Sequence, residues 1–397
     1  MPRLGDRSSH PLLRVPVYAN FAGMSPLSAP VRAAIDGAIA TLEAQGAAAG
    51  WGLLSARDAL RERAARLVGV RPDEIGLVPN TTTGVRAIAF GLRWRPGARV
   101  IGFEGEFPAN VTPWQQAAAM AGGSVTMLPL RPWFDAVDEG LAALERALAQ
   151  GGVLAVAVSA VQFSSGLRMP LARMAEVCHR HGALLAVDAI QACGVVPIDC
   201  QAEGIDALAC GGHKWLGGAM GIGFLAIREH AMAQLEPRLA GWTSHEDAAS
   251  FLLAGPGHLR YDRAIRRRAD FVEDGGSAIA LVPGLVAAID ILLELGVPAI
   301  FDHVQGWIDA AEAQLCACGF TSLRAREPSA RSGILGVVPP AGVDVVALHQ
   351  ALERRGVACA IPDGVLRFAP HWSNHTDEIP ELHAVVDTET RALRVPT

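Results

Sequence analysis

A chain of 397 residues, 51% apolar and 19% charged, can bury more than one core, which excludes a disordered polymer and makes two domains the natural expectation. Its formal net charge of −6 argues against a nucleic-acid partner. Seven cysteines, an odd number without a CxxC pair or histidines at zinc spacing, exclude a disulfide framework, leave no metal site to expect, and fit a reduced, cytoplasmic setting.

In chain order, residues 1–16 read as a polar, Pro-rich arm that begins without an apolar secretory stretch. A short extended run, 15–23, ends in a turn. Pro26 and Pro30 introduce a helix over 31–44, and a second helix, 55–68, carries Arg on one face and Ala and Leu on the other. A strand over 71–78 leads into Pro79-Asn80-Thr81-Thr82-Thr83-Gly84 and a helix over 85–92. Backbone N–H groups and threonine hydroxyls at a helix start form an anion site. The same pattern suits a threonine cap with no ligand; the three consecutive threonines and the downstream Lys214 tilt the reading toward phosphate.

A strand over 99–103 follows, with Phe107 just past its end. An aromatic ring there can cover one face of a planar cofactor, or simply fill the core. Helix 112–121, strand 124–128, helix 138–149 and the continuous apolar strand 153–158 come next, then a polar loop with Gln162 and Ser164, and a helix over 171–181 whose His179 and His181 read as satisfied surface groups.

The stretch 183–218 carries the chemistry. Asp188 closes one apolar strand, 183–188, and Lys214 stands among small residues just past another, 206–210. In an open parallel sheet such strand ends line the ligand crevice. A lysine there can form a Schiff base with an aldehyde cofactor, and an aspartate can keep a pyridine nitrogen protonated; pyridoxal 5'-phosphate (PLP) needs both. Gly221-Ile-Gly223-Phe-Leu-Ala226 imitates a dinucleotide fingerprint but runs into a strand-like segment and not a helix. Arg266-Arg267-Arg268 reads as a solvated helix face. The apolar region 278–297 is broken by Pro283, Asp290 and Glu294, so it reads as a buried or amphipathic helix and no membrane partner is expected.

Strands alternating with helices as far as about 230 imply an α/β fold with a mostly parallel sheet sandwiched by helices. Beyond about 280 the texture becomes α+β: helices 278–295, 299–315 and 345–354, and strands 333–338, 357–361 and 365–368. The expected division is a large PLP-binding domain, 20–280, and a smaller α+β domain made of 1–19 plus 281–397.

These motifs together resemble the PLP-dependent fold-type-I enzymes of the class V aminotransferase family, which takes in cysteine desulfurases, selenocysteine lyase and isopenicillin N epimerase. The resemblance rests on an ordered set: 18–27, 60–75, 79–85, 106–114, Asp188 with Gln191, Gly212-His213-Lys214, and Arg367. It implies that Lys214 holds the cofactor and then moves protons at the substrate Cα. Asp188 would pair with the pyridine nitrogen and Gln191 with the phenolic oxygen. Phe107 would stack on the ring where several relatives carry His. Thr81 and Thr82 would hold the phosphate, with His213 beside it. Gly211 replaces a serine found in many relatives, so one phosphate hydroxyl would be missing or supplied elsewhere.

Arg367 would fork onto the substrate carboxylate, with Asn20 on the same side; Trp242, His245, Gln162 and Ser164 are weaker pocket candidates. The segment 273–277, ending in Ser277, resembles the part that reaches the phosphate of a neighbouring subunit, which implies a homodimer with composite sites. Cys359 falls in an apolar run and reads as a buried structural thiol, against a desulfurase that forms a persulfide. The implied activity is action at the Cα of a small amino-acid substrate, most simply by an aminotransferase. A β-eliminating C–S lyase releasing pyruvate and ammonia is the alternative, ahead of a racemase or epimerase and of a non-catalytic scaffold.

Overall fold

The structure is a computed structural model and describes residues 2–394. In chain order its strands are β1 Val17–Tyr18, β2 Ile75–Val78, β3 Arg99–Phe103, β4 Ser124–Leu128, β5 Val153–Ser159, β6 Leu184–Asp188, β7 Ala207–Gly211, β8 Gly223–Ile227, β9 Thr321–Ser322, β10 Leu335–Val338, β11 Val357–Ala358 and β12 Leu366–Phe368. Seven of them form the central sheet, in the order β2-β8-β7-β6-β5-β3-β4. β8 runs antiparallel to both neighbours and the remaining pairs are parallel.

The sequence dictates this arrangement. β6, β7 and β8 are buried at every position, so they must be covered on both faces. The helices between parallel strands supply that cover. Register aligns Ser159 with Asp188 and Asp188 with Ala209, so the carboxyl ends of β5, β6 and β7 come level at one edge. Helix Thr81–Gly91 lies against β7. A Cβ on Gly84 would stand 2.8 Å from the Ala209 Cβ, so the helix approaches this closely because residue 84 has no side chain.

A second group of elements combines the two ends of the chain. β12, β10 and β9 form an antiparallel sheet, and β1 pairs in parallel with β11. The Gly5 N–H donates to the Trp372 carbonyl at 2.7 Å, and Asn20 bridges to Ala369. Helices Val297–Ala317 and Val345–Arg354 pack against these strands and helix Ile379–Leu393 packs on both, while helix Val282–Leu295 lies against helices Ala29–Gln45 and Ala47–Val68. No single described helix is long and apolar enough to cross a membrane.

Several expected boundaries shift. The helix expected over 85–92 starts at Thr81, because the Asn80 side chain caps it. The helix expected over 55–68 starts at Ala47 and takes in Gly50 and Gly52, where tertiary packing outweighs glycine's poor propensity. The front of the expected 71–78 strand is a 3-10 turn, Pro72–Glu74. Arg266-Arg267-Arg268 is not a helix face. The segment is extended, Arg266 donates to the carbonyls of His245 and Asp270, and Arg267 donates to that of Leu235.

Candidate active site

The level strand ends and the start of helix Thr81–Gly91 open onto a cavity of ≈ 400 Å³. Asp188, the last residue of β6, lies buried against it and accepts from the Ile190 N–H at 3.0 Å. Burial pushes its carboxyl up to about 7; the Ile190 hydrogen bond and Lys214 work against that, and Glu106 works with it. Lys214 follows β7. Burial takes its ammonium down to about 8, opposed by Asp188 and assisted by Arg367. A carboxyl and an amine that both change charge near neutral pH in one cavity mark a site built for proton transfer.

The Lys214 Nζ stands 5.8 Å from the centroid of the Phe107 ring. That ring is half-exposed and meets Phe163 edge-on, with centroids 5.4 Å apart. The Gln191 amide is oriented from behind: its Oε1 accepts from the Trp215 indole N–H at 2.8 Å, and its Nε2 donates to the Ala22 carbonyl at 3.1 Å. An amide nitrogen carries two hydrogens, so one remains for the cavity.

At the helix start, Asn80 Oδ1 accepts from the Thr83 N–H at 2.9 Å, leaving Thr81 and Thr82 at the electropositive end. The Thr81 hydroxyl oxygen accepts from the Gly211 N–H at 2.9 Å and keeps its own hydrogen to donate. A Cβ on Gly211 would lie 3.2 Å from that oxygen and 3.3 Å from the His213 ring. Thr81 and His213 thus crowd the space that a serine at 211 would need. Burial, with Lys214 next door, holds the His213 imidazolium below its ordinary range.

Arg367 projects from β12 and is 5% exposed. Its Nη1 donates to the Phe163 carbonyl at 2.6 Å, its Nε has no partner, and among the described residues it forms no ion pair with a carboxylate. Burial lowers it to about 10. An unpaired buried guanidinium costs several kcal/mol unless an anion meets it, on the order of the penalty for any buried ion.

Thr81, Thr82, Phe107, Asp188, Gln191, His213, Lys214 and Arg367 therefore line one cavity. Asn20 and Ser277 do not line it. Asn20 Oδ1 is buried without a partner beside Gly23, and Ser277 is exposed. His245 bonds the Arg263 carbonyl at 2.7 Å, and Trp242 is half-exposed. Gln162 faces away from the cavity, donating to buried Glu106 at 3.2 Å, which also accepts from the Ser159 N–H at 2.7 Å and from the Ser159 hydroxyl.

Sequence reasoning passed over Phe163, Ile190 and Pro362, all of which line the cavity. Phe163 adjoins a flagged loop residue; Pro362 carried no signal. The cap is Asn80 and not a threonine, although an Asn before a threonine-rich helix start is itself a cap signal. Cys359 is buried, with its thiol pushed up to about 12 by that burial, and no cysteine lines the cavity among the described residues.

An amine for an aldehyde, a carboxyl for a pyridine nitrogen, an aromatic face and a helix start for a phosphate form the donor set of a fold-type-I PLP enzyme. The sequence profile of the family described as "Aminotransferase class-V" matches residues 45–364, and the chain belongs to that family. It is a PLP-dependent enzyme acting on an amino-acid substrate.

The chain is 28% identical over 336 residues to an uncharacterized aminotransferase, YcbU, of Bacillus subtilis (strain 168), covering 84% of this chain and 83% of that protein. It is 29% identical over 264 residues to a cysteine desulfurase of Escherichia coli, covering 64% of this chain and 61% of the other. Among solved structures, the fold matches a mutant of C-DES with glycine covalently linked to the PLP cofactor, at TM-score 0.87 and 23% identity over 98% of this chain and 99% of that one. It also matches the apo cysteine desulfurase of Thermococcus onnurineus at TM-score 0.85 and 21% identity, over 99% and 100% of the two chains.

Proposed function

We propose that the protein is an aminotransferase that moves the amino group of an α-amino acid to an α-keto acid. The observation that carries this reading is Arg367: a buried guanidinium without a carboxylate partner among the described residues, opening on the same cavity as Lys214. It fits an α-carboxylate, which a planar guanidinium grips through two parallel hydrogen bonds. When bound, PLP supplies an aldehyde that takes up the amino group and a protonated ring that accepts electron density from Cα.

The chain's own groups do the rest. Lys214 Nζ would hold the aldehyde carbon at rest, then lift the proton from the substrate Cα and deliver it to the carbon that carried the aldehyde, so that the amino group stays with the cofactor. An amine near pH 8 is present as free base and as ammonium in comparable amounts, which suits both tasks. Asp188 holds the ring nitrogen's proton; a cation beside it favours its charged form against the burial that raises it. Gln191 donates to the phenolic oxygen, Phe107 covers one ring face, and Thr81, Thr82 and His213 hold the phosphate.

Ser277 reaches the site of a second copy of the chain, so the working unit is a cytoplasmic homodimer with composite sites. The cofactor-holding part is 20–280, and the smaller part, 1–19 plus 281–397, carries Arg367. Because no thiol lines the cavity among the described residues, sulfur removed from a substrate would leave with the product and not on the enzyme. That keeps a β-eliminating C–S lyase as the competing outcome and sets persulfide formation aside. The aminotransferase name of YcbU adds support.

The test is a single turnover with amino acids and S-conjugates and no amino acceptor. An aminotransferase yields one equivalent of α-keto acid per site and recovers the cofactor as its amine. Sustained release of pyruvate and ammonia with the cofactor unchanged gives the site to the lyase.

A further inference from the structure

We infer that the site takes α-amino acids with an uncharged, apolar side chain, and that Phe163 is its specificity-determining residue. The inference rests on the reading of Arg367 and Lys214 as the anchors for carboxylate and amine. With those two engaged, His213 is the only other basic side chain lining the cavity among the described residues, and it lies at the helix start beside Thr81. No cation is left for a second carboxylate.

The remaining surface on the substrate side is carbon. The Phe163 carbonyl binds Arg367, so this residue is adjacent to the carboxylate anchor. Its ring meets Phe107, which in turn faces Lys214. A substrate held between Arg367 and Lys214 therefore runs its side chain along the Phe163–Phe107 wall. Pro362 and Ala109 also line the cavity, and both are apolar. Apart from the two anchors, the ionisable groups near this wall are acidic, with burial pushing the Glu106 carboxyl up. Asp188 lies inside the cavity, buried Glu106 precedes Phe107, and exposed Asp363 follows Pro362 in a left-handed conformation at φ 51°.

A side-chain carboxylate here loses water and gains repulsion, and a site with no partner for a buried polar group discriminates strongly against it. A cationic side chain finds Asp363, which is solvated, because Asp188 serves the ring nitrogen in the proposed reading and Glu106 is taken up by Ser159 and Gln162.

The test mixes the cofactor-loaded protein, in whatever assembly it forms, with methionine, leucine, phenylalanine, aspartate, glutamate or lysine and follows the cofactor's absorbance. The best neutral amino acid is expected to react with an apparent second-order rate constant at least about 100-fold above those for aspartate, glutamate and lysine, as an unpaired buried charge demands. A charged amino acid within about threefold of the best neutral one overturns the inference while leaving the proposed activity standing. That includes the case in which a partner subunit supplies a cation. If no amino acid perturbs the spectrum, the reading of Arg367 and Lys214 falls and the inference falls with it.

Calorimetry on the cofactor-loaded protein, in which Lys214 and the phosphate site are engaged, gives a second readout. Isocaproate should bind at least about tenfold more tightly than glutarate, since one carries an apolar tail and the other a second carboxylate. Phe163→Ala should lose about tenfold in kcat/KM for leucine and phenylalanine and little for alanine, because only the larger side chains reach the wall. Equal loss on all three substrates reduces Phe163 to a support for Arg367 and removes it as the specificity residue.

Discussion

Lys214 is a cation in a place that disfavours cations, and this has a consequence for stability independent of turnover. Its folded pKa, about 8, lies below the ordinary 10.5, with burial as the main cause. Between those values the unfolded chain binds more protons than the folded one, so stability rises with pH across that window. Below it the buried ammonium costs the cofactor-free protein about 3 kcal/mol. Lys214→Met removes the charge and keeps the volume. The cofactor-free variant should be more stable than the parent near pH 7 by roughly 2–3 kcal/mol, with the gap closing by pH 10.5. Urea unfolding at both pH values checks this, and a pH-independent gap contradicts the buried-ammonium account. The same variant should have no measurable turnover. Arg367 has a separable signature. Arg367→Ala should raise the amino-acid KM by about 100-fold and leave the PLP Kd within about threefold, whereas Arg367→Lys should recover only part of the loss, because a point charge lacks the fork. Equal damage to both constants would take Arg367 out of the substrate side.

At the scale of elements, helix Thr81–Gly91 can aim its start at a phosphate only because it lies close on β7. Gly84→Ala tests that contact through opposing terms. Helix propensity favours alanine by about 1 kcal/mol, while a methyl 2.8 Å from the Ala209 Cβ overpacks the contact at about 1–3 kcal/mol. The clash should win: lower stability in denaturant, and a weaker hold on PLP with little change in the KM for the amino acid. A stabilised variant with unchanged PLP affinity would mean the helix has room to spare. This element was legible in the chain because its signals are local: a cap residue, three threonines and an apolar run. The strands leading to Asp188 and Lys214 were legible for the same reason, as continuous apolar runs with punctuated ends. Contacts between distant residues were not. Glu273 is buried and accepts from Arg57, Arg61 and the Leu77 N–H, up to 216 positions away. Asp206 is buried between His179 and His230, with the Leu185 N–H on the same carboxylate. No periodicity encodes such pairings. The mistaken helix face at Arg266-Arg267-Arg268 has the same origin, since backbone carbonyls elsewhere in the chain decide where those guanidiniums go.

For the molecule as a whole, Glu273 and the surface near it bear on assembly. Its two arginines come from helix Ala47–Val68 and its backbone donor from β2, so one carboxylate fastens the segment leading to Ser277 onto the edge of the central sheet. Next to this fixed segment in sequence, 242–261 leaves large apolar side chains in water, with Tyr261 89% and Leu253 68% exposed and Trp242, Leu252 and Leu259 about half. Exposed apolar side chains concentrated in one short segment would suit an association surface. If that surface is the dimer contact, assembly and cofactor retention are coupled under the proposal that Ser277 serves the other subunit's phosphate. The parent protein should sediment at about twice the mass of one chain, as expected of the commonest symmetric oligomer. Replacing Leu253 and Tyr261 together by Asp should shift it toward monomer and release PLP on dilution, while far-ultraviolet circular dichroism stays that of the parent. Glu273→Ala should do both and also lose about 3–5 kcal/mol of stability, because it leaves two guanidiniums without their carboxylate. The two variants thereby separate the surface from its anchor. A parent that sediments as a monomer while holding one PLP per chain would show each site to be complete within its own subunit, and Ser277 would then have no part in it.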